Sequence, residues 1–413
     1  MNKLYLTKRV IRFRHFLNKA YAAFLSLHRV VNVGHVRGQI ANLELLKSGM
    51  SLTTVMLILS TSITAWADTP TPESEVDPTL LQLSEVSVVA EQSHFRSESF
   101  RLVSQLSGAQ IAALPIRTMA DVLQYLPGVD MRERGASGVQ ADLSIRGGTA
   151  KQVKILLNGV DMSDAQTEHY SLDLPVDATL IERIELLQGT NYMLDAFSGA
   201  INIVTKSPAE TTDNESKGNK SDIIGSLTAG EYGLVNPQLA TRLIHNEWYM
   251  NGSASYNRSS GYSRNTDYKI TNLFLQTGYK ELDFQLGAQM KDAGANAFYS
   301  VKYPYQFDAT RTGFFSTSYS HYFDNGWLIE ANAYYRAHYD RFELYRGGKQ
   351  ADGSDAPAWY APNKHWTHTT GAHLQGSYNN SWQKISFGVD LRDEYINSSN
   401  LGQHNRRSEE HTS

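Results

Sequence analysis

The fold is decided by four consecutive segments of the chain: DLSIRGG (142–148), VKILLNGV (153–160), IERIELLQG (181–189) and FSGAINIVTK (197–206). The segments are short, rich in β-branched residues and separated by glycine, which predicts strands joined by tight turns. Asn158-Gly159 is a two-residue hairpin signal, because both residues tolerate a positive φ. Charged residues interrupt the apolar runs, and a buried charge needs a partner. The stretch therefore predicts a small globular unit that docks by polar contacts inside something larger.

These segments, in this order and at these spacings, resemble the plug domain of TonB-dependent outer-membrane receptors. The resemblance implies a plug that sits within a transmembrane β-barrel. It identifies as signature positions Arg146, Gly147, Gly148, Asn158, Gly159, Glu182, Arg183, Glu185, Gly189, Gly199 and Asn202. The alternative is an unrelated soluble α/β domain whose glycine spacing matches by coincidence.

Composition excludes several other classes of protein. The chain has 413 residues, a net charge of −4 and no cysteine, and its mean hydropathy is −0.40. That hydropathy argues against a bundle of membrane helices, and the net charge gives no indication of a nucleic-acid partner. Without cysteine, neither a disulfide scaffold nor a cysteine-ligated zinc site can form.

The N-terminal segment 1–67 has the pattern of an export signal. Many cations precede an apolar run at 55–63, which ends in Ala65-Trp66-Ala67. A basic region, a short apolar core and a small-x-small site predict a signal peptide cleaved after Ala67, and the run is too short for a membrane span. The residues before Lys47 are either an extended signal region or the product of a start codon placed too far upstream.

Residues 68–82 are polar and predict a flexible periplasmic tail. The plug is assigned to 83–206, and the resemblance implies a TonB box near its start. This box comprises Glu85, Val86, Ser87, Val88, Val89 and Ala90. It would add as a strand to TonB, through main-chain hydrogen bonds. The alternative is that this segment is the first strand of the plug and has no partner.

The segment Thr118 to Leu126 predicts a short helix, with Thr118 as its cap and Pro127-Gly128 ending it. Segments 132–148 and 164–170 resemble one branch of the receptors, which contains vitamin B12 receptors and their relatives in Bacteroidetes-type bacteria. Ala165, Glu168 and Met193 stand where that branch usually has proline or glycine. These departures bear on the geometry of the loops and leave the plug assignment unchanged.

A polar linker is assigned to 207–221, and residues 222–406 then show strands with period-two alternation. Leu282, Phe284 and Leu286 alternate with polar neighbours, as do Ile385 and Phe387. One apolar and one polar face is the pattern of a transmembrane β-barrel, and a soluble β-sandwich is the alternative. The fold class predicted is an α+β plug domain followed by a transmembrane antiparallel β-barrel.

About nine strands are expected up to Glu394, whereas plugged transporters of this type have about 22. We therefore expect the barrel to be truncated in this sequence. Residues 407–413 (RSEEHTS) are predicted to be a non-native tail.

No catalytic motif is found, and we expect no enzyme activity. His338 and Asp340 lie two residues apart, so they should face the lumen together. They are candidates for ligand binding, for acid/base chemistry or for the polar wall against the plug. Asp352 and Asp355 offer carboxylates to Ca²⁺, or they belong to an ordinary turn; no other cofactor is expected.

Loops and plug apices supply the ligand contacts in the family. The candidates in this chain are Gln166, His169, Tyr170, Phe298, Tyr299, Trp359 and Tyr360. The aromatic residues would stack on a bulky ligand, or they belong to interfacial girdles. The resemblance implies outer-membrane transport of cobalamin or another corrinoid, driven by TonB of the TonB-ExbB-ExbD complex. The alternatives are a ferric-siderophore receptor of the same fold and a barrel-borne enzyme or adhesin. Further partners expected are outer-membrane lipids and a surface lipoprotein, with no nucleic acid.

Overall fold

The computed structural model describes residues 101–116, 118–135, 139–188, 197–207, 219–323, 325–380, 382–407 and 411–412. The predicted signal peptide, the TonB box and Gly189 lie outside these ranges. The described chain consists of a mixed α+β plug followed by a large antiparallel sheet. This arrangement confirms the predicted fold class.

The plug contains a five-stranded sheet in the order β1-β6-β7-β4-β5 and a separate β2–β3 hairpin. Only the β4–β7 pair is parallel among the pairs of the five-stranded sheet. The bounds of the plug strands are Arg101–Ser107 (β1), Val129–Arg134 (β2), Gln140–Ile145 (β3), Val153–Leu157 (β4), Val160–Asp161 (β5), Ile181–Gln188 (β6) and Gly199–Thr205 (β7). Asn158 and Gly159 form the β4–β5 turn with φ of 50° and 79°, as the hairpin signal predicts.

The plug also contains two short helices, α1 (Gly108–Ala113) and α2 (Met119–Leu123). Each begins with a capping box, in which Ser107 pairs with Gln110 and Thr118 pairs with Asp121. The helix predicted from Thr118 is thus confirmed at its start, but it ends at Leu123 rather than Leu126. Pro127 disfavours helical geometry at the residue before it. Neither described α-helix is long and apolar enough to cross a membrane.

Ten consecutive antiparallel strands form the second sheet, from β8 to β17, and a two-residue strand, β18, pairs with β16. The bounds are Lys220–Gly230 (β8), Leu234–His245 (β9), Trp248–Ser259 (β10), Tyr268–Tyr279 (β11), Leu282–Ala295 (β12), Gln306–Tyr322 (β13), Trp327–Glu343 (β14), Asn363–Asn379 (β15), Lys384–Ser398 (β16), Gly402–Arg407 (β17) and His411–Thr412 (β18). Nine strands therefore lie between Lys220 and Ser398, as expected. The sheet starts two residues before the predicted position 222.

The two ends of this sheet differ in the length of their connections. Long segments at 260–267, 296–305 and 344–362 join strands at one end, called here the loop end. Turns of a few residues, such as 246–247 and 280–281, join strands at the other, the turn end. Transmembrane barrels of the outer membrane have long extracellular loops and short periplasmic turns. The same contrast in this sheet predicts that the loop end is its extracellular side.

In the large sheet, polar side chains are buried and apolar side chains are exposed, which is the reverse of the pattern in a soluble protein. On β12, Gln285 and Lys291 are 2% exposed, whereas Leu282 and Phe284 are each 42% exposed. The alternation continues on β16, where Ile385 is 50% exposed. Polar residues thus face the plug and apolar residues face outward. This is the arrangement that a bilayer requires, and a β-sandwich would bury the opposite face.

The main apolar core belongs to the plug. Ile155, Leu157, Ile184 and Ile201 are buried within it. The large sheet adds a small number of inward apolar residues to this cluster: Ala240, Phe274, Phe314 and Tyr334. Most of the remaining contact between plug and sheet is polar, so the two are held together chiefly by hydrogen bonds and charge.

Candidate functional site

Tyr299 joins the plug to the loop end of the sheet. Its hydroxyl accepts a hydrogen bond of 2.7 Å from Nε2 of Gln140 in the plug. The Arg134 guanidinium lies 5.6 Å from the centre of its ring, and Phe342 packs edge-on at 5.1 Å. Tyr299 is still 46% exposed. One face of this aromatic ring is therefore fixed while the rest is available to a ligand.

His169 lies beside Tyr299, with 6.0 Å between ring centres. Its Nδ1 is 2.6 Å from Oδ1 of Asp142, on plug strand β3. Burial opposes ionisation of Asp142, but the contact with His169 and the charges of Arg134 and Arg132 outweigh it and lower the pKa of this carboxyl. The part of the plug beside the loop end is called here the plug apex. It thus presents the His169 imidazole in contact with the Asp142 carboxylate, a pair suited to recognition of polar groups.

The remaining aromatic candidates separate into two groups. Phe298 packs over Gly135 at the apex, where a β-carbon would come within 2.8 Å of its ring. Trp359 and Tyr360 instead surround Tyr345 in the long 344–362 loop, with ring centres 6.5 Å and 5.1 Å away. Trp359 is 72% exposed. The predicted ligand residues therefore form an apex group and a loop group.

Two loop-end connections are tied together by Arg346. Its guanidinium donates to both carboxylate oxygens of Asp267, at 2.6 and 2.8 Å, and to Asn265. It also lies 4.7 Å from the ring of Phe307. The hydrogen bond from Arg346 is the main cause that lowers the pKa of Asp267. The loops that would surround a ligand are thus held in a defined arrangement.

Below the apex lies a layer of buried charge between plug and sheet. Asp164 accepts from Arg336 at 3.1 Å and from Thr367 at 3.3 Å. Asp173 contacts Nζ of Lys291 at 2.5 Å and accepts from the hydroxyl of Thr310 at 2.7 Å. In each contact, a carboxylate of the plug meets a cation or hydroxyl of the sheet.

Three more candidates belong to this charged layer. The buried hydroxyl of Tyr170 donates to Asp308 at 3.1 Å, and its ring lies 5.1 Å from that of His338. His338 also contacts the hydroxyl of Thr312 at 2.7 Å. His338 and Asp340 both face inward and are buried, as predicted. The polar-wall interpretation of His338 accounts for its contacts.

A third plug carboxylate, Asp161, is held by Arg392 of β16 and by Lys154 at 3.3 Å. Burial opposes its ionisation, but these two cations outweigh it and keep the pKa well below its usual value. Asp164 behaves alike, because the charges of His338 and Arg336 outweigh burial and lower its pKa. Both plug carboxylates are therefore ionised and paired at neutral pH.

Towards the turn end, neutral amides and hydroxyls replace the charges. Asn158 donates to Gln285 at 2.9 Å, and Thr205 donates to Gln276 at 2.7 Å. Asn251 also donates to the main-chain oxygen of Lys206. The strand β7 and the β4–β5 turn of the plug are thus fixed to strands β10 to β12 by short polar side chains.

The other signature positions shape the plug itself. Asn202 accepts from the Gly159 amide at 3.0 Å and donates to Glu185 at 2.9 Å, while Arg183 donates to Glu185 at 2.7 Å. Gly199 has a φ of 132°, and a β-carbon there would lie 2.6 Å from the Leu187 oxygen. These positions hold the central strands together. Further signature residues sit in turns or nearby: Arg146 and Gly147 have positive φ, Gly148 packs on Ser198, and Glu182 lies on β6.

A cavity of about 490 Å³ separates part of the plug from strands β8 to β12. Apolar plug residues, including Leu172 and Leu174, line one side. Polar residues of the sheet, including Gln238, Asn257 and Asn272, line the other. The plug therefore leaves a gap between itself and the inner face of the sheet at strands β8 to β12.

Comparison with solved structures shows the same fold. The copper transporter OprC superposes with a TM-score of 0.55 at 15% identity, over 76% of this chain and 50% of that chain. The FrpB iron transporter from Neisseria meningitidis (F3-3 variant) gives a TM-score of 0.55 at 14% identity, over 73% and 50%. At such identities the likeness concerns the fold alone.

Sequence comparison gives the family. A vitamin B12 transporter BtuB of Vibrio vulnificus (strain YJ016) is 28% identical over 213 residues, which are 49% of this chain and 35% of that protein. A protein of the same name from Photobacterium profundum is 31% identical over 138 residues, 32% of this chain and 22% of that protein. The family model of the TonB-dependent receptor plug domain matches residues 97–201. The chain therefore contains the plug domain of the TonB-dependent outer-membrane receptors. It spans only part of the length of the relatives it matches.

The carboxylates proposed for calcium in this receptor have other contacts. Asp352 accepts from the amide and hydroxyl of Ser354, at 2.9 and 2.6 Å. Asp355 pairs with Lys349 at 2.5 Å. Within the described ranges, no group of three or more His, Cys, Asp or Glu side chains is placed to hold a metal ion. These contacts are those of an ordinary turn, and calcium binding stays a prediction.

Sequence reasoning missed most of the receptor's charged layer. Lys291, Arg336, Asp308 and Arg392 each point towards the plug. The available signal was their position, since each falls on the inward register of an alternating strand. Of their partners in the plug, Asp161 lies on β5 and Asp173 lies in the connection before β6, and neither carries a comparable signal.

Proposed function

We propose that this receptor takes up a scarce ligand across the outer membrane, with energy supplied by TonB. The observation that carries the proposal is that the plug contacts the inner face of the large sheet mainly through polar groups, while the outer face of that sheet is apolar. Short side chains and ion pairs hold the plug. Such contacts can be exchanged for water, so the plug can rearrange without exposing a large apolar surface. No catalytic role is proposed for any residue.

The ligand proposed is cobalamin or another corrinoid. Support comes from the vitamin B12 transporters among its relatives and from the aromatic residues at the loop end. Tyr299 and Trp359 are exposed there, and aromatic faces stack on large flat molecules. A ferric siderophore is the second candidate, because solved receptors of that class share the fold. A surface lipoprotein partner remains a proposal without structural support.

Equilibrium binding separates the two ligands. Protein purified from outer membranes is titrated with cobalamin, and a ferric siderophore is then added as competitor. Saturable cobalamin binding that the siderophore does not displace is expected. The absence of a signal at micromolar cobalamin would contradict the corrinoid assignment.

A matched pair of tryptophans tests the location of the site. Trp359 and Trp382 are 72% and 77% exposed, the first in a loop-end connection and the second in a turn-end connection. We expect Trp359→Ala to weaken binding by about tenfold, since loss of one stacked ring typically removes about 1 kcal/mol or more. Trp382→Ala should leave binding unchanged. Equal effects would contradict a loop-end site.

The proposed TonB box is tested by deletion of residues 85–90. We expect the deletion to abolish energised uptake while ligand binding remains, because the segment would act only as a strand partner of TonB. Unchanged uptake would contradict this assignment.

A further inference from the structure

Asp340 lies in the charged layer between the plug and the sheet. It belongs to β14, and its side chain is on the inward face, where the residue is 3% exposed. Its Oδ1 is enclosed and has no hydrogen-bond partner among the described residues. A carboxylate charge that is taken out of water without a partner is strongly unfavourable. The ionisation state of Asp340 therefore depends on which groups surround it.

The two cations nearest the centre of the charged layer are bonded to other carboxylates. Nζ of Lys291 contacts Asp173 at 2.5 Å, and Nη1 of Arg336 is 3.1 Å from Asp164. Within the part of the chain that the structure describes, no ion pair reaches Asp340. The layer thus supplies one cation to each plug carboxylate and leaves Asp340 without one.

The groups around Asp340 are mostly acidic. The carboxylates of Asp308, Asp164 and Asp173 are near enough to act on it electrostatically. Strand register places His365 of β15 directly opposite. The titratable groups that face Asp340 from the plug, from β13, from its own strand and from β15 are Asp164, Tyr170, Asp173, Asp308, His338 and His365. An ionised Asp340 would therefore repel three other carboxylates.

The two neighbouring histidines do not compensate for the missing cation. Both rings are buried, and Nε2 of His338 and Nδ1 of His365 have no hydrogen-bond partner in the described ranges. The other nitrogen of His338, Nδ1, contacts the hydroxyl of Thr312 at 2.7 Å. Neither ring forms an ion pair with Asp340 in these ranges. A neutral Asp340 is then the state that leaves the fewest buried charges without compensation.

We propose that Asp340 is a proton-binding site, protonated and uncharged at neutral pH while the plug contacts the sheet. A neutral carboxylic acid carries an O–H donor, and the enclosed Oδ2 of Asp308 is an acceptor without a partner in the same layer of the described chain. Water that reaches Asp340 would favour transfer of the proton to solvent. The bound proton thus links the contact of plug and sheet to pH. The proposal concerns the resting receptor and is independent of uptake and of the ligand transported.

Infrared spectroscopy measures this proton directly. A protonated carboxyl group has a C=O stretching band that is separate from the bands of an ionised carboxylate. Receptor purified from outer membranes is compared at neutral pH with Asp340→Asn, in which an amide replaces the neutral acid. We expect this variant to lose one carboxyl band. The control, Asp292→Asn, removes a half-exposed carboxylate that is paired with Arg311 and should lose none. An unchanged carboxyl band in Asp340→Asn would overturn the proposal.

The pH dependence of stability tests the same assignment. The folded receptor would hold a proton that Asp340 loses in the unfolded chain, where an aspartate has a pKa of about 3.9. The folded state then binds more protons than the unfolded state, so its stability falls as pH rises. Between about pH 5 and pH 7, the unfolding equilibrium constant of the parent should rise about tenfold per pH unit relative to that of Asp340→Asn. Chemical unfolding in detergent measures both constants.

A matched pair of variants in the same layer should act in opposite directions. At neutral pH, Asp340→Asn should make the receptor more stable, because ionisation no longer favours the unfolded chain. Asp173→Asn should make it less stable, because it leaves the buried Lys291 without its partner. Destabilisation by both variants, or a ratio between parent and Asp340→Asn that does not change with pH, would show that Asp340 is ionised and would overturn the proposal.

Discussion

Arg336 of the large sheet and Asp164 of the plug form an ion pair whose side chains are 2% and 0% exposed, with 3.1 Å between Nη1 and Oδ1. Asp164 also accepts the amides of Gln166 and Thr167. The pair therefore connects a sheet strand to the loop that carries the candidates Gln166 and His169. Removal of one partner would leave a buried charge without compensation.

We predict that Arg336→Met destabilises the folded receptor by about 3–5 kcal/mol. The double variant Arg336→Met, Asp164→Leu should recover much of the loss, because it removes both buried charges. Chemical unfolding in detergent measures the effect. The control is Arg311→Gln, whose ion pair with Asp292 is 35% and 39% exposed and is worth about 0–1 kcal/mol. Equal losses in Arg336→Met and Arg311→Gln would show that burial does not strengthen the pair.

Asn202 is predicted to be essential to the stability of the plug. It is 2% exposed and satisfies both the Gly159 amide and the Glu185 carboxylate. Asn202→Leu would leave both groups buried without this partner, at about 1–3 kcal/mol each. Unfolding should show the loss, while the exposed Asn400→Ala should change stability by less than about 0.5 kcal/mol. A neutral Asn202→Leu would contradict the role assigned to this signature residue.

The order of the loops is predicted to depend on pH through Asp267. Its pKa is lower in the folded receptor than the usual 3.8, chiefly because Arg346 donates to it. A lowered pKa contributes stability above the unfolded value, and that contribution is lost as pH falls through the folded pKa. The 344–362 loop should therefore loosen below about pH 3.8.

A fluorophore on Ala351→Cys measures this loosening, since the chain has no other cysteine. Anisotropy should fall as pH is lowered from 6 to 2.5 in the otherwise unchanged receptor. With Asp267→Asn added, anisotropy should be low throughout and the fall should disappear. A fall of equal size in both proteins would assign the transition to other groups.

The sequence predicts the large elements well because their signals are local. Asn158-Gly159 specifies its turn by backbone preference, and the alternation around Leu282 and Ile385 specifies which face meets lipid. Thr118 is found as a cap because its partner Asp121 is three residues away. The end of that helix is the exception, because the helix ends at Leu123, three residues before the expected Leu126.

The candidate site is less predictable because its contacts join distant parts of the chain. Tyr170 was predicted to contact ligand, yet its hydroxyl is buried on Asp308, which is 138 residues away. Phe298 and Tyr299 were grouped with Trp359, but the structure places them at the plug apex. Arg392 reaches Asp161 across 231 residues. No local pattern encodes such pairs.

The central claim is that the plug must move within the barrel for uptake. Asp177 of the plug and Ser255 of β10 are in hydrogen-bond contact at 2.7 Å, so Asp177→Cys with Ser255→Cys is the pair designed to lock the plug to the sheet by a disulfide. A control disulfide, Ser377→Cys with Ser386→Cys, joins partners on adjacent strands β15 and β16. It leaves the plug free.

Uptake of labelled cobalamin by cells that carry each oxidised variant, before and after reduction, is the decisive measurement. We predict that the plug lock reduces uptake to the level of cells without TonB and that reduction restores it. Surface binding and the control variant should be unaffected. Equal uptake by the oxidised and reduced plug lock would contradict the claim.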